Sequence, residues 1–578
     1  MEPVEFFLNP QTIAQKQYEA LRMFFVEKYP ANVVALKFGY TYRGFTTIVS
    51  NFRKELKLGN GKELYFNELK HGRKQVEQQV KEVVVALRKK YYSVEDIKVT
   101  TDGKGLGVSE KSIYNILHEQ GFERLPRRER TEKKSLAPSG LKADKTVTLK
   151  FAEESFRSSA VGILCLLPLI KKYSIISIIK ASGYPGTAQI GKLSSILAFI
   201  ALKASSVRRY TADDAWCMDR GLGLFAGLNV LPKAAWFSSY SHRVTPQMNY
   251  QFLKALHANW QALGLLGDTA NLDFTTIPYW GENDHLENNW SGKRSKALAS
   301  MLAVLAQDPD SGIIDYGHAN VMHKNESAVV LEFIDFYGKD VRGNRELKYL
   351  TFDSKFTNYE NLAKLDEDEI KFVTIRRRGK NIISRLNDTP KSKWKTVRVE
   401  RAGNKKATIQ ILEEIIFLPG YDKQIRQISI TGHGKIKPAT MITNEFGLTT
   451  EQIVRKYARR WIVEKSISEQ IEFFHLNMVS SSMVIKVDFD LTMSILTHNL
   501  FRIFALDMDR YANKADQAIY DLFLRNSGKV KIGSNKIHVQ LAKKRTLPLI
   551  LEKTSNFNGQ KYEWLNNLEI EFSGATNS

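Results

Sequence analysis

The segment ANLDFTTIP, residues 270–278, sets the first strand of the fold that this sequence predicts. It combines apolar and β-branched residues with a single carboxylate, Asp273, and it ends at Pro278, which cannot donate a backbone hydrogen bond. Further segments follow it in alternation: strands at 312–315 and 318–322, a helix at 326–337, a strand at 347–353, a helix at 359–365 and a strand at 371–375. This alternation predicts an α/β sheet with parallel members.

The order strand, strand, strand, helix, strand, helix, strand is that of a ribonuclease-H-like core. Residues 263–375 are predicted to form this core together with residues 440–515, which include a long helix over 450–476. Residues 376–439 lie between these parts and are predicted to be a β-rich insertion. The insertion holds four short stretches of strand character: 396–399, 408–411, 414–417 and 427–430.

The N-terminal quarter of the chain shows helical spacing of apolar residues in two groups of short segments. Residues 1–70 are predicted to be a helix-turn-helix DNA-binding domain. Residues 71–150 are predicted to be a second unit of this kind with a basic linker, in which Ser109 caps the recognition helix. A purely structural helical bundle is the alternative for either unit. The side chains predicted to reach DNA are Arg43, Lys111 and Asn115.

The remaining segments complete a multidomain chain. Residues 151–262 are predicted to be a helical domain and residues 516–578 a C-terminal helical region. The Gly-Leu-Gly at 221–223 follows no strand and has no acidic partner at nucleotide-binding spacing, so it is interpreted as a packing element. The acidic residues of Asp488-Phe489-Asp490 are interpreted as a solvated turn. The predicted fold class is therefore α-helical helix-turn-helix domains followed by an α/β core that a β-rich insertion interrupts.

The charge balance narrows the class of partner. The 578 residues include 85 Lys and Arg against 62 Asp and Glu, a net charge of +23, and residues 1–150 alone hold 28 basic and 18 acidic side chains. Such an excess favours nucleic acid over a membrane or a merely soluble basic surface. No stretch reaches the about 18 apolar residues that a membrane span needs. The two cysteines are too few for a disulfide framework, and the acidic start lacks a signal-peptide core, so a cytoplasmic protein is expected.

Three carboxylates stand where a phosphoryl-transfer site would place them. Asp273 lies in the first core strand, Asp353 ends a later strand, and Glu464 lies inside the long helix. Phosphodiester cleavage commonly uses two hard cations, such as Mg²⁺, held by carboxylate oxygens. From spacing alone, a solvated strand end or a cap remains the alternative for each carboxylate.

The long helix adds a second pattern. Tyr457, Arg460 and Glu464 stand at i, i+3 and i+7 and therefore share one helical face. A surface ion pair between Arg460 and Glu464 would explain two of them. A tyrosine and an arginine that grip a DNA phosphate beside a metal-binding carboxylate would explain all three.

These segments resemble the bacterial insertion-sequence DDE transposases of the fourth insertion-sequence family, which cut and paste DNA. The resemblance spans about residues 150–515. It rests on LDFTTIP at 272–278, on YLTFD at 349–353, and on TNE at 443–445 followed by YARRWIVE at 457–464. The last segment is similar to the family's Tyr-x-x-Arg-x-x-x-Glu signature. The Lys that ends the signature is replaced here by Ile471, with His475 on nearly the same helical face.

The resemblance implies a ribonuclease-H-like catalytic domain in which Asp273, Asp353 and Glu464 bind two Mg²⁺ ions, with Mn²⁺ as the alternative. It also implies that Tyr457 and Arg460 contact phosphate near the cut DNA end. The resemblance thus assigns Tyr457, Arg460 and Glu464 of the signature to one DNA-cleavage site.

Family members of this type also stack a flipped base on an aromatic residue of the β insertion. Trp394, which stands among Lys391, Lys393 and Lys395, is the candidate, against the alternative of a tryptophan packed inside the insertion. Three arginines after the last core strand are expected to line the DNA path: Arg376, Arg377 and Arg378.

The expected function is that of a transposase. The enzyme would bind terminal inverted repeats, cleave the element ends by two-metal phosphodiester hydrolysis, and join the 3′ hydroxyl ends to target DNA. A homodimer would act on the two double-stranded ends, in the bacterial cytoplasm at the nucleoid. The rivals are a non-catalytic or decayed sequence-specific DNA-binding protein and a metal-dependent nuclease that never joins DNA.

Overall fold

The computed structural model describes most of the chain in separate ranges. The described residues are 10, 12–58, 65, 78–89, 92–94, 97–98, 101, 107–122, 150–187, 189–208, 212–279, 286–291, 296–338, 347–377, 379–401, 405–432, 438–476 and 484–575. The side chains of residues 461–470 lie outside this description. The chain divides into two compact units, residues 1–77 and residues 78–578.

Within residues 12–58, the first unit contains three helices at the places that the sequence predicts. They are α1 (Ile13–Phe25), α2 (Ala31–Lys37) and α3 (Tyr42–Lys57). Ala20, Val34 and Phe45, one from each helix, are fully buried in their shared core. The Thr41 hydroxyl accepts a hydrogen bond of 3.1 Å from the Gly44 N–H and so caps α3.

The second unit contains fifteen labelled helices and fifteen strands among its described residues. The helices are α4 (Gln78–Lys89), α5 (Glu110–Glu119), α6 (Leu167–Lys172), α7 (Ile175–Ala181), α8 (Lys192–Ala204), α9 (Arg220–Phe225), α10 (Ala234–Tyr240), α11 (Pro246–Ala262), α12 (Val329–Tyr337), α13 (Tyr359–Glu367), α14 (Lys380–Asp388), α15 (Thr450–Phe473), α16 (Val484–Asp507), α17 (Asp516–Ile519) and α18 (Leu547–Ser555). The strands are β1 (Glu154–Ser158), β2 (Thr269–Pro278), β3 (Asn288–Ser291), β4 (Lys296–Gln307), β5 (Ile314–Val321), β6 (Tyr349–Phe352), β7 (Lys371–Ile375), β8 (Lys395–Arg401), β9 (Lys405–Leu418), β10 (Tyr421–Thr431), β11 (Ala439–Thr443), β12 (Gly528–Ile532), β13 (Lys536–Leu541), β14 (Lys561–Tyr562) and β15 (Leu568–Gly574).

Helix α5 begins where its sequence signal places it. The Ser109 hydroxyl accepts a hydrogen bond of 3.2 Å from the Ser112 N–H, which confirms the predicted cap. Ile113, Ile116 and Leu117 are buried on one side of the helix. The predicted basic linker, residues 124–140, lies outside the described residues.

A ten-stranded sheet forms the centre of the second unit. Its strands lie in the order β3-β4-β2-β6-β7-β11-β10-β9-β8, and β5 pairs with β4. Strands β2, β6 and β7 are parallel to one another, whereas β4 and β5 are antiparallel to their partners. Four strands of this sheet precede helix α12, against the three that the sequence predicts, whereas the later order of helix, strand, helix and strand is as predicted. The two stretches predicted at 312–315 and 318–322 both fall on the single strand β5, and the unpredicted strands β3 and β4 lie between β2 and β5.

The predicted β-rich insertion is not a separate sheet. Strand β11 pairs with β7 and β10 pairs with β11, so the strands from β8 to β11 extend the central sheet. The stretches predicted at 408–411 and 414–417 are parts of the long strand β9, and helix α14 was not predicted. Residues 376–439 therefore contain strands, as predicted, and these strands extend the central sheet instead of forming a sheet of their own.

A second sheet joins strands from two distant parts of the chain. It has five strands in the order β1-β12-β13-β15-β14, with β1 antiparallel to β12. Residues 151–262 are mainly helical, as predicted, but they contribute strand β1 to this sheet. Residues 516–578 were predicted to be helical, and four strands among them contradict that prediction: β12, β13, β14 and β15.

No single helix among the described residues is long and apolar enough to cross a membrane.

The glycines at 221 and 223 have the packing role that the sequence suggested. A Cβ added at Gly221 would lie 2.2 Å from the Ser158 hydroxyl oxygen, and one added at Gly223 would lie 2.5 Å from the Asn229 carbonyl oxygen. The second clash is with backbone, which cannot move aside as a flexible side chain can. Only glycine therefore allows α9 to approach the 229–230 turn this closely.

Replacing Gly223 with alanine is expected to lower the free energy of unfolding by about 1–3 kcal/mol, because the added methyl group overpacks the contact. Urea unfolding measures the change. Gly379→Ala is the matched control, because its Cβ meets no atom within 4 Å. Equal stabilities of the two variants would contradict the packing role.

Asp488, expected in a solvated turn, is instead a buried acceptor on helix α16. Its carboxylate accepts 2.8 Å and 2.7 Å hydrogen bonds from the Ala319 N–H and the Asn249 amide, and Asn249 accepts one of 2.9 Å from the Tyr184 hydroxyl. Complete burial raises the pKa of Asp488, and the hydrogen bonds from Ala319 and Asn249 oppose the shift. The residue therefore links α16 to β5 and α11.

The raised pKa makes the stability of the chain depend on pH. A carboxyl whose pKa is higher in the folded state stabilises the fold below its unfolded pKa of about 3.9, and this stabilisation is lost as the pH rises through the folded pKa. We expect wild type to lose stability relative to Asp488→Asn between about pH 4 and neutral pH, measured by urea unfolding. A constant difference across this range would contradict the prediction.

Candidate active site

Asp273 and Asp353 are brought together by the register of two parallel strands. The preceding residues, Leu272 in β2 and Phe352 in β6, are ladder partners. Asp353 follows β6 directly and keeps extended backbone angles, φ −83° and ψ 170°. Neighbouring strands lie about 4.8 Å apart, so the two carboxylates occupy equivalent positions on adjacent strands. The register therefore places the two aspartates side by side on neighbouring strands.

Helix α15 packs against these strands and is fixed to them by an apolar and a basic contact. Ile453 is fully buried in the cluster that the helix shares with the outer strands. The Lys456 ammonium donates a 2.9 Å hydrogen bond to the Thr269 hydroxyl and lies 3.8 Å from the centre of the Tyr349 ring. These contacts join α15 to the starts of β2 and β6 and so set the position of its next turn.

The next turn of α15 brings Arg460 to Asp273. The Arg460 Nη1 atom lies 3.2 Å from Asp273 Oδ2, and the two side chains are 5% and 10% exposed. The other carboxylate oxygen, Oδ1, accepts a 2.9 Å hydrogen bond from the Phe274 N–H. Arg460 therefore pairs with a carboxylate from a distant part of the chain, which neither sequence-based alternative included.

Tyr457 completes the cluster. Its hydroxyl is buried, and its ring centre lies 5.3 Å from the Arg460 guanidinium carbon. Burial raises the pKa of Tyr457; Arg460 opposes the shift, while the charges of Asp353 and Asp273 add to it. Since both aspartates act on one hydroxyl, Tyr457, Arg460, Asp273 and Asp353 form a single electrostatic group.

An aromatic and basic rim adjoins this group. The Phe274 and Phe356 rings are stacked with centres 3.8 Å apart, and the Lys355 ammonium lies 5.9 Å from the Phe274 ring centre. Arg377 donates hydrogen bonds of 3.1 Å and 3.3 Å to the carbonyls of Ser354 and Lys355. Sequence reasoning missed Lys355 and Phe356, although both lie within three residues of Asp353.

The other predicted DNA-path residues have different surroundings. Arg376 is half-buried and donates a 2.5 Å hydrogen bond to the Gln427 side-chain oxygen, so it braces β10. Trp394 is half-buried just before β8. Arg378 lies outside the described residues. Of the three predicted arginines, Arg377 is the one described beside Asp353.

His475, which the sequence places near the face of Ile471, lies beyond the end of the helix. Helix α15 ends at Phe473, and His475 has a left-handed backbone with φ 56°. Its Nε2 atom lies 3.1 Å from both the hydroxyl and the carbonyl oxygen of Ser206. Burial lowers the pKa of His475, which favours the neutral ring. His475 therefore does not lie on the helical face of the signature residues.

The donor set of this edge suits a hard divalent cation. Asp273 and Asp353 supply carboxylate oxygens, the ligands that Mg²⁺ prefers. Glu464 lies four residues after Arg460 in α15, and its side chain is outside the description. Among the described residues no group of three metal-binding side chains occurs, and Asp273 is held by Arg460. Asp273 and Asp353 therefore suit the roles of two of the three predicted carboxylate ligands of a metal ion.

The predicted DNA contacts of the N-terminal helices are on the surface. Arg43 is exposed in the first turn of α3, and Lys111 and Asn115 are exposed on α5. Exposure allows these side chains to contact a partner.

Comparison with known proteins gives a family match and similar solved structures. The family described as Transposase DDE domain matches residues 270–500, a range that contains Asp273, Asp353 and the whole of α15. This match supports a DDE transposase domain there. A chain in the cryo-EM structure of the piggyBac transposase synaptic complex with hairpin DNA is 14% identical, over 63% of this chain and 82% of that chain, with a TM-score of 0.34. A search of curated proteins finds no match.

Proposed function

We propose that this chain is a DNA transposase that cleaves the ends of a mobile element and joins them to target DNA. The observation that carries the proposal is the meeting of Asp273, Asp353 and Arg460 at one sheet edge, within the range that matches the DDE domain. The strand order β5-β4-β2-β6-β7 supports a ribonuclease-H-like core. The signature at 457–464 supports membership of the bacterial fourth insertion-sequence family.

Asp273, Asp353 and Glu464 would hold two Mg²⁺ ions, or Mn²⁺ in their place. Bound ions of this kind activate an attacking oxygen and stabilise a leaving oxygen in phosphodiester cleavage. Asp273 would release Arg460 when it binds metal. The freed guanidinium then suits a DNA phosphate, because its planar donors match phosphate oxygens.

The remaining residues would position the DNA. Tyr457 would donate its hydroxyl proton in a hydrogen bond to the phosphate that Arg460 contacts, since its raised pKa keeps the hydroxyl protonated at neutral pH. Arg377 would contact the backbone next to Asp353. Further contacts are proposed from the sequence analysis. A flipped base would stack on Trp394, and Arg376 and Arg378 would contact phosphates. The side chains that would recognise end DNA are Arg43, Lys111 and Asn115.

The N-terminal helices would act as helix-turn-helix units on the terminal inverted repeats. A homodimer would pair the two ends in the cytoplasm, at the bacterial nucleoid. Matching inverted repeats in the DNA on both sides of the coding sequence are the simplest observation that supports this assignment.

A strand-transfer assay separates the proposal from its rivals. Pre-cut repeat ends with free 3′ hydroxyls are incubated with the full chain, a target plasmid and Mg²⁺. Joined products are expected, because the same carboxylates serve hydrolysis and transesterification. Cleavage of uncut ends without joining would indicate a nuclease, and binding without either reaction would indicate a DNA-binding protein.

A further inference from the structure

The five-stranded sheet has one apolar face and one charged face. Val530, Ile532, Ile537 and Val539 point to the core and are at most 2% exposed. The alternate residues of the same strands face the solvent and are exposed. On β1 and β12 these residues are mostly basic: Ser155, Arg157, Lys529 and Lys531.

Two of these basic residues are direct cross-strand partners. Arg157 in β1 is paired with Lys529 in β12, and Lys531 follows two residues later on the same face. Like charges directly opposite in a sheet destabilise it, since their Cβ atoms lie about 5 Å apart. None of these three side chains forms an ion pair with any described residue. The chain thus keeps a repulsive arrangement without internal compensation.

The neighbouring half of the same face is compensated. Glu571 on β15 lies 3.3 Å from both the Lys536 ammonium and the His538 ring. The ion pairs of Glu571 therefore lie beside β13. The basic cluster Arg157, Lys529 and Lys531 is open to an external anion.

We propose that this basic cluster binds the phosphate backbone of double-stranded DNA, at a surface separate from the carboxylate edge. Lys529 and Lys531 lie about 7 Å apart along the strand. Phosphates of one DNA strand follow one another at about 3.4 Å of rise, so the cluster spans about two phosphates. The net charge of +23 favours a polyanion. Taking DNA as the partner rests on the proposed function.

The salt dependence of DNA binding tests this surface. The full chain is titrated with a duplex of random sequence in metal-free buffer at several salt concentrations. The triple variant carries the substitutions Arg157→Gln, Lys529→Gln and Lys531→Gln. It is expected to reduce the slope of log affinity against log salt concentration by about 2–3, because each lost phosphate contact reduces the slope by about 0.9. The single variant Lys529→Gln is expected to reduce it by about 0.9.

Lys536→Gln is the matched control, because it removes the same charge from the same face where Glu571 already compensates it. Its slope is expected to equal that of wild type. The triple variant is also expected to unfold at a temperature equal to or above that of wild type, because the cross-strand repulsion is removed.

Several results would contradict the proposal that this basic cluster binds DNA. The first is a salt slope in the triple variant equal to that of wild type. The second is a reduction of the slope in Lys536→Gln as large as that in the triple variant. The third is weaker DNA binding by a triple variant that also unfolds at a lower temperature than wild type. Binding of wild type to phosphatidylserine vesicles that the triple variant loses, with the DNA slope unchanged, would indicate a membrane instead. The binding titration contains no metal, so its result does not depend on DNA cleavage. Failure of the strand-transfer assay would therefore reject the proposed function without changing the measured difference in salt slope between wild type and the triple variant.

Discussion

Replacing Asp353 with asparagine is expected to reduce cleavage of repeat-end DNA by at least about 10³-fold, since charge stabilisation by a bound metal contributes several kcal/mol to the transition state. The amide keeps the size of the side chain and loses the negative charge that holds a cation. DNA affinity is expected to stay unchanged, because the proposed DNA contacts are made by other residues. Gel assays of cleavage and of binding measure the two effects separately.

Asp422→Asn is the control for Asp353→Asn. Asp422 is exposed on β10, and the same substitution there is expected to leave cleavage at the wild-type rate. Full cleavage activity in Asp353→Asn would reject a catalytic role for this carboxylate and favour a DNA-binding protein.

Replacing Arg460 with alanine is expected to lower the free energy of unfolding by about 3 kcal/mol, because it leaves the Asp273 carboxylate buried without its guanidinium partner. The same change is expected to weaken binding of end DNA, since Arg460 is a proposed phosphate contact. Urea unfolding measures the first effect.

The double variant Asp273→Asn, Arg460→Met tests the physical cause. It removes both charges and keeps an apolar side chain of similar length, so most of the lost stability is expected to return. If Arg460→Ala is as stable as wild type, the ion pair is not a determinant of the fold.

The parts of the fold with clear local signals could be predicted from the sequence. The three N-terminal helices and the cap at Ser109 follow helical spacing and a capping side chain. Strands β6 and β7 are short apolar runs that a polar residue follows directly, and β2 is a run of apolar and β-branched residues that ends at Pro278. The parallel register of β2 and β6 places Asp273 and Asp353 side by side.

Other parts lacked a local signal. Strand β4 is alanine-rich and buried from Ser300 to Gln307, so it has no alternation to separate it from a buried helix. The pairing of Arg460 with Asp273 joins distant parts of the chain and depends on how α15 packs. Burial of Asp488 depends likewise on β5 and α11, which no local pattern reveals.

The C-terminal strands have a local signal in their sequence. In β12 and β13, basic or polar residues alternate with Val530, Ile532, Ile537 and Val539. Strict alternation is the period of a half-buried strand, and it conflicts with a helix. The continuation of the central sheet through β11 could not be predicted, because sheet partners of this kind are not adjacent in sequence.

The most direct test of the carboxylate edge is anomalous diffraction from crystals of the full chain soaked in Mn²⁺. A peak is expected between Asp273 and Asp353, at about 2.1 Å from a carboxylate oxygen of each, with Arg460 displaced from Asp273. The peak is expected to vanish in Asp353→Asn crystals. A structure in which Mn²⁺ binds elsewhere and Arg460 keeps its pair with Asp273 would contradict the assignment of this edge as a metal-dependent active site.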